Sequence, residues 1–354
     1  MSQILVVGDP AARPAAAQRP AAEQLRAGAR GRAAALDPRR ALQLALGALW
    51  VLDAMLQFQP SMFSRDFPKM LAGSAQGNPA VVARPITWSA GIIGHHEVAL
   101  NAIFAVIQLL LGLGIAWRPA IKVALAGSVA WSLAVWWLGE GLGGVLAGTA
   151  NPVNGAPGAV LLYGLLAVLL WPADRDPAAP FTAARAVGRR AAQASWLVVW
   201  LGLAVLALLP ASRAIAATIA DTTPGEPTWL AWLDAHAASA LSQHGLPAAI
   251  VLAAGFAIVA FGVFAPRRAA RAAIVLAVVL AAVLWLAQGL GEILTGSATD
   301  PNSGPLLALL ALTFWPLAVP ARSASARSAP APSAAAVRSA VVPSVAPAPA
   351  SEGA

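Results

Sequence analysis

A stretch of 13 residues in this chain returns 148 positions later, and it constrains the fold more than any other feature. The first copy runs Trp136-Trp-Leu-Gly-Glu-Gly-Leu-Gly-Gly-Val-Leu-Ala-Gly148. The second runs Leu284-Trp-Leu-Ala-Gln-Gly-Leu-Gly-Glu-Ile-Leu-Thr-Gly296. Each closes a long apolar run and leads through an Asn and a Pro into another. From Trp136 to Pro157, 10 of 22 positions are identical at this shift, including Gly141/Gly289, Gly143/Gly291, Asn154/Asn302 and Pro157/Pro305. Self-similarity at a fixed period marks an internal repeat, so the chain is expected to hold two copies of one unit.

Composition sets what that unit is. The chain is 59% hydrophobic and 11% charged, with mean hydropathy +0.71. A soluble domain carries about 25% charged residues. Several apolar runs approach the ~20 residues that cross a bilayer as a helix. The expected fold is therefore all-α, a polytopic membrane helical bundle in contact with the lipid bilayer. Cysteine is absent, which excludes disulfides and thiolate metal sites within the chain.

In order, an Ala/Arg/Pro-rich tail (1–38) precedes a first span near 41–58 and a polar segment to His96. Spans follow near 98–116, 120–138 and 157–171, giving a first membrane repeat over 39–172. A connector (173–192) leads to a second repeat over 193–320, with spans near 194–209, 246–264, 272–290 and 305–319. Residues 321–354 form an Ala/Ser/Pro-rich tail, and both tails read as disordered. With eight crossings and the N-terminus inside, 19 of the 23 Arg and Lys fall on the cytoplasmic side. The positive-inside rule predicts this, and three crossings per half would break it. Both termini and the connector are thus expected in the cytoplasm of a plasma-membrane protein, with two parallel four-helix repeats. The +8 charge then belongs to the inner surface and calls for no nucleic acid. In the second outer segment, residues 227–241 align Trp229, Trp232, Leu233, Ala237 and Leu241, as a helix lying on the membrane surface would.

Few residues carry chemistry. Asp53 lies well inside the first span, where an ionisable group costs about 2.5–3.5 kcal/mol, so it is a candidate proton- or cation-binding group or ligand anchor. The second half has Leu203 there, so any such site belongs to the first. Glu140, inside the first glycine motif, forms a candidate outer-facing pocket with Asn151 and Asn154. His95, His96 and Glu97 are metal-ligating types at the entry to the second span, and His244 lies on the same expected side. Consecutive helical residues point about 100° apart, so the first three do not chelate one ion from a regular helix. The glycine spacing is not a dinucleotide loop, which needs a βαβ unit.

Arg40 followed by Ala-Leu-Gln-Leu-Ala-Leu-Gly47 resembles the opening span of DoxX/DoxD-like membrane proteins. Ile107-Gln-Leu-Leu-Leu-Gly-Leu-Gly-Ile-Ala-Trp-Arg118 resembles their Gly-rich second span, and Ala260-Phe-Gly-Val-Phe-Ala-Pro-Arg267 echoes it. The resemblance implies four-helix membrane modules with a long first outer loop, here duplicated in tandem over about 40–320. Gln57, Gln59 and Pro60 stand where that family has a basic residue. Three functions follow as expectations. One is an accessory, non-catalytic membrane protein with a membrane-protein partner. A second is a proton- or cation-coupled small-molecule transporter, and a third is a quinone-linked oxidoreductase subunit. No cofactor ligand set is legible for the third.

Overall fold

The computed structural model describes residues 37–317. Apart from Asp37 and Pro38, both expected tails lie outside that range. Among the described residues the chain is all-helical. In the first half the helices are α1 (Pro38–Leu56), α2 (Asp66–Gly73), α3 (Ala80–His95), α4 (Glu97–Ala116), α5 (Ile121–Leu138) and α6 (Ala159–Leu169). A short α7 (Thr182–Val187) follows in the connector. The second half holds α8 (Arg189–Leu208), α9 (Ile215–Thr222), α10 (Thr228–Leu241), α11 (Gly245–Gly262), α12 (Arg267–Ala287) and α13 (Ser303–Thr313).

Five helices, α4, α5, α8, α11 and α12, are long and apolar enough to cross a membrane. Only 28–39% of their apolar windows is buried. Val123, Val198 and Val251 are each more than 70% exposed. In water such faces would be a large apolar surface. They are compatible with a membrane-embedded protein, whose lipid supplies the missing partner.

Small residues set the helix spacing. Gly47 of α1 and Gly112 of α4 face each other, and a Cβ on Gly112 would stand 2.7 Å from the Gly47 carbonyl oxygen. Gly114 meets Ala124 across the α4–α5 hairpin, and Gly262 meets Ala273 across α11–α12. Without side chains there, backbones approach closely, the usual device where helices gain little from hydrophobic association.

The centre belongs to the two short helices. α6 and α13 bury all but one narrow face (Leu161, Leu165 and Val168; Pro305, Ala308 and Leu312) and pack against each other, joining both halves in one core. Tyr163, Leu166, Trp196, Trp200 and Phe256 are fully buried in it. An evenly apolar helix needs cover all round, which explains the position. Each has 11 residues, about 16 Å at 1.5 Å per residue, against an apolar core of ~30 Å. The sequence suggested longer segments (157–171 and 305–319). Each helix ends early, at Leu169 and Thr313, and is entered from its glycine motif through irregular backbone, residues 139–158 and 288–302.

The motifs have closely matching backbones. Gly141, Leu142, Gly143 and Gly144 have φ of 56°, 58°, 64° and 70°, and Gly289, Leu290, Gly291 and Glu292 have 58°, 55°, 66° and 55°. Four consecutive left-handed residues reverse the chain, and the paired glycines are what make such a turn affordable. The polar segments, expected as loops except at 227–241, each fold into two helices: α2 and α3, then α9 and α10. The expected helix at 227–241 forms as α10, with Trp229 and Trp232 exposed and Leu230 and Asp234 buried.

Candidate functional site

Asp53 is 2% exposed, and the Tyr163 hydroxyl donates a 2.7 Å hydrogen bond to its Oδ1. α1 and α6 thus meet through a polar pair. One turn back on α1, the Trp50 ring lies 4.1 Å from the Tyr163 ring, and its Nε1 donates to Ser128 Oγ at 3.0 Å. These bonds satisfy groups that would otherwise be costly to bury.

Asp53 also lines a cavity of about 230 Å³, walled mostly by the first half. Its wall includes Trp50, Phe67, Phe104 and Trp131, with the amides of Gln57 and Gln108. Glu140, Thr299 and Asp300 complete its lining and also line a larger cavity of about 520 Å³. That second space is polar. Both glycine motifs contribute to it, along with Asn151, Asn154, Asn302 and Glu292.

Glu140 has a structural duty as well. Its Oε1 accepts the Val160 N–H at 3.1 Å, which caps the start of α6, where a negative group is favourable. Gly158 leaves room for the other oxygen, since a Cβ there would collide with Oε2. Burial pushes the Glu140 carboxyl up to about 8, and the Asp300 carboxylate adds to the rise. Asp300 is raised by burial too, although the Asn302 N–H and the Thr299 hydroxyl donate to it.

Of the residues singled out from sequence, Asp53 and Glu140 share the smaller cavity, while Asn151 and Asn154 line the larger one with Glu140. Asn151 is buried, its Oδ1 accepting the Val153 N–H and its Nδ2 donating to Thr218 across the halves. The histidines do not converge. His95, His96 and His244 are exposed, and His95 and His244 each pair Nδ1 with a carbonyl one turn back. Glu97 opens α4 as its first-turn acid. Among the described residues no group of three or more His, Cys, Asp or Glu is placed to hold a metal ion. Sequence reasoning missed Tyr163, Asp300, Gln57 and Gln108. Tyr163 is the chain's single tyrosine and sits in an apolar run, while Gln57 stands one turn after Asp53; either could have flagged the site.

A second acidic pair lies under the other motif. Glu226 packs against Gly289 and stands beside the buried Asp234. Burial, reinforced by Asp234, raises Glu226 to about 7. A carboxyl with a raised folded pKa takes up protons on folding. Its favourable contribution is complete below the ordinary value of 4.5 and is lost as pH climbs through about 7 for Glu226 and about 8 for Glu140. The melting temperature of the detergent-solubilised chain should therefore fall between about pH 5 and pH 8.5 and level off above. Glu140→Gln, the residue type aligned with it at 288, should flatten the upper part. A profile that rises over this range, or one that Glu140→Gln leaves unchanged, would contradict the assignment.

No family model, curated protein or solved structure matches the chain.

Proposed function

We propose that the chain is an eight-span plasma-membrane carrier of a small solute, coupled to a proton or cation through Asp53. One observation carries the reading: the Asp53–Tyr163 pair lines a cavity that shares Glu140, Thr299 and Asp300 with a polar cavity between the glycine motifs. A carboxyl retained only for packing would sit in a dry contact. Carriers often build their sites at the N-termini of broken helices. The segments 139–158 and 288–302 fit that description, ending at α6 and α13 beside Glu140 and Asp300.

Two parallel four-helix repeats are part of the proposal. Each helix from α1 to α6 has a counterpart in the same order from α8 to α13, and the glycine turns share their torsions. Charge asymmetry supports cytoplasmic termini and connector, with the cavities on the outer side.

Coupled transport can be tested without knowing the solute. Proteoliposomes under an inward proton gradient would be offered a mixture of small metabolites, and their contents read by mass spectrometry. At least one solute should accumulate, and Asp53→Asn should cut it by about tenfold or more, equal to ~1.4 kcal/mol. Accumulation no greater than in Asp53→Asn or empty vesicles would favour the accessory role instead.

A further inference from the structure

We propose that the smaller cavity takes an organic cation, a protonated amine or quaternary ammonium on a small apolar body. The inference deepens the carrier reading and rests on it. Five aromatic side chains, Trp50, Phe67, Phe104, Trp131 and Tyr163, contribute to the wall. Such rings attract cations through their negative faces, most strongly when water is excluded.

The polar atoms point the same way. Gln57 and Gln108 are 6% and 7% exposed, and neither Oε1 has a hydrogen-bond partner in the protein. Buried acceptors are normally satisfied, and these two unpartnered oxygens belong to residues of the cavity wall. An ammonium N–H, or the polarised C–H groups around a quaternary nitrogen, would supply a donor beside the Asp53 carboxyl. The rest of the lining and the larger cavity add Glu140, Glu292 and Asp300, and no Lys, Arg or His lines either space. A cation brought beside buried carboxyls favours their ionised form, so its arrival draws negative charge onto the lining. An anion would meet four carboxyl groups and no basic side chain. A bare metal ion lacks its ligand set, since no metal-holding group exists among the described residues. The volume of about 230 Å³ lies below the ~300–1,000 Å³ of drug-sized sites, so the occupant is small.

The test uses the full chain in detergent, with protein-free micelles as the partition control. Three probes of similar size are compared by equilibrium dialysis and thermal shift: benzyltrimethylammonium, its uncharged carbon isostere neopentylbenzene, and benzenesulfonate. The cation should bind saturably, raise the melting temperature, and bind at least about tenfold more tightly than the other two, equal to ~1.4 kcal/mol. Asp53→Asn retains an acceptor for Tyr163, and Trp131→Phe retains a ring that lacks the unpartnered N–H. Asp53→Asn should weaken cation binding by about tenfold or more, and Trp131→Phe by a smaller factor. Equal binding of the neutral isostere, preferred binding of the anion, or no saturable binding of the cation would overturn the proposal. So would cation affinity unchanged by Asp53→Asn. The comparison on the wild-type chain decides the matter even if a variant misfolds. Cation binding without accumulation in vesicles would sink the carrier reading alone. Accumulation of a neutral or anionic solute with no ammonium binding would sink this inference alone.

Discussion

Gly143→Ala is expected to destabilise the protein by about 2–4 kcal/mol, among the largest losses from a one-carbon change. Two costs combine. The residue has φ of 64°, where a Cβ costs about 1–2 kcal/mol. The added methyl would also run into the Pro157 carbonyl, which belongs to the segment that starts α6. Relief would require moving the turn away from α6, and with it the Glu140 cap. Gly291→Ala should act similarly, since its Cβ would stand 2.6 Å from the Pro301 carbonyl oxygen. Two comparisons separate the costs. Gly148 has φ of 73° with open space around it, so Gly148→Ala should lose only the backbone share, about 1–2 kcal/mol. Gly202 lies within α8 with nothing near its missing side chain, and Gly202→Ala should stabilise by about 0.4–1 kcal/mol. Thermal melting of the four variants in one detergent checks the order. Gly143→Ala melting with the wild type would mean that the left-handed turn is not a constraint on the fold.

Those glycines were legible because a left-handed turn accepts few other residues, and the same spacing occurs twice. Asp53 was legible because a carboxyl in an apolar run is costly to insert and so stands out from its surroundings. Its partner was not, since Tyr163 is 110 positions away and no local pattern links them. Asp300 escaped because the repeat aligns it with Pro152, so symmetry pointed away from it. The length of α6 could not be read from an evenly apolar run, in which a half-length helix and a full crossing look alike. α3 was hidden for another reason. Pro85 lies inside it, and proline ordinarily argues for a break. Glu140 was singled out as a pocket residue and lines both cavities, but its bond to Val160 depends on backbone position, which residue spacing does not reveal.

The central claim is that lipid covers the outside of the bundle while water or solute reaches its inside. α4 tests both halves of that claim. Gln108 lies 11 residues after Glu97, about 16 Å along the helix, and lines the smaller cavity. Leu110, two residues further, is 62% exposed on the outer surface of the helix. The chain has no cysteine, so Gln108→Cys and Leu110→Cys each carry a single thiol. A thiol reacts as the thiolate, which forms in water and not in hydrocarbon. A membrane-impermeant trimethylammonium thiosulfonate, applied to sealed vesicles of each orientation, should modify Gln108→Cys from the side bearing the glycine motifs. Leu110→Cys should stay unmodified from either side until detergent is added. Rapid labelling of Leu110→Cys with an inert Gln108→Cys would mean a dry interior and a wet exterior, and would contradict the account.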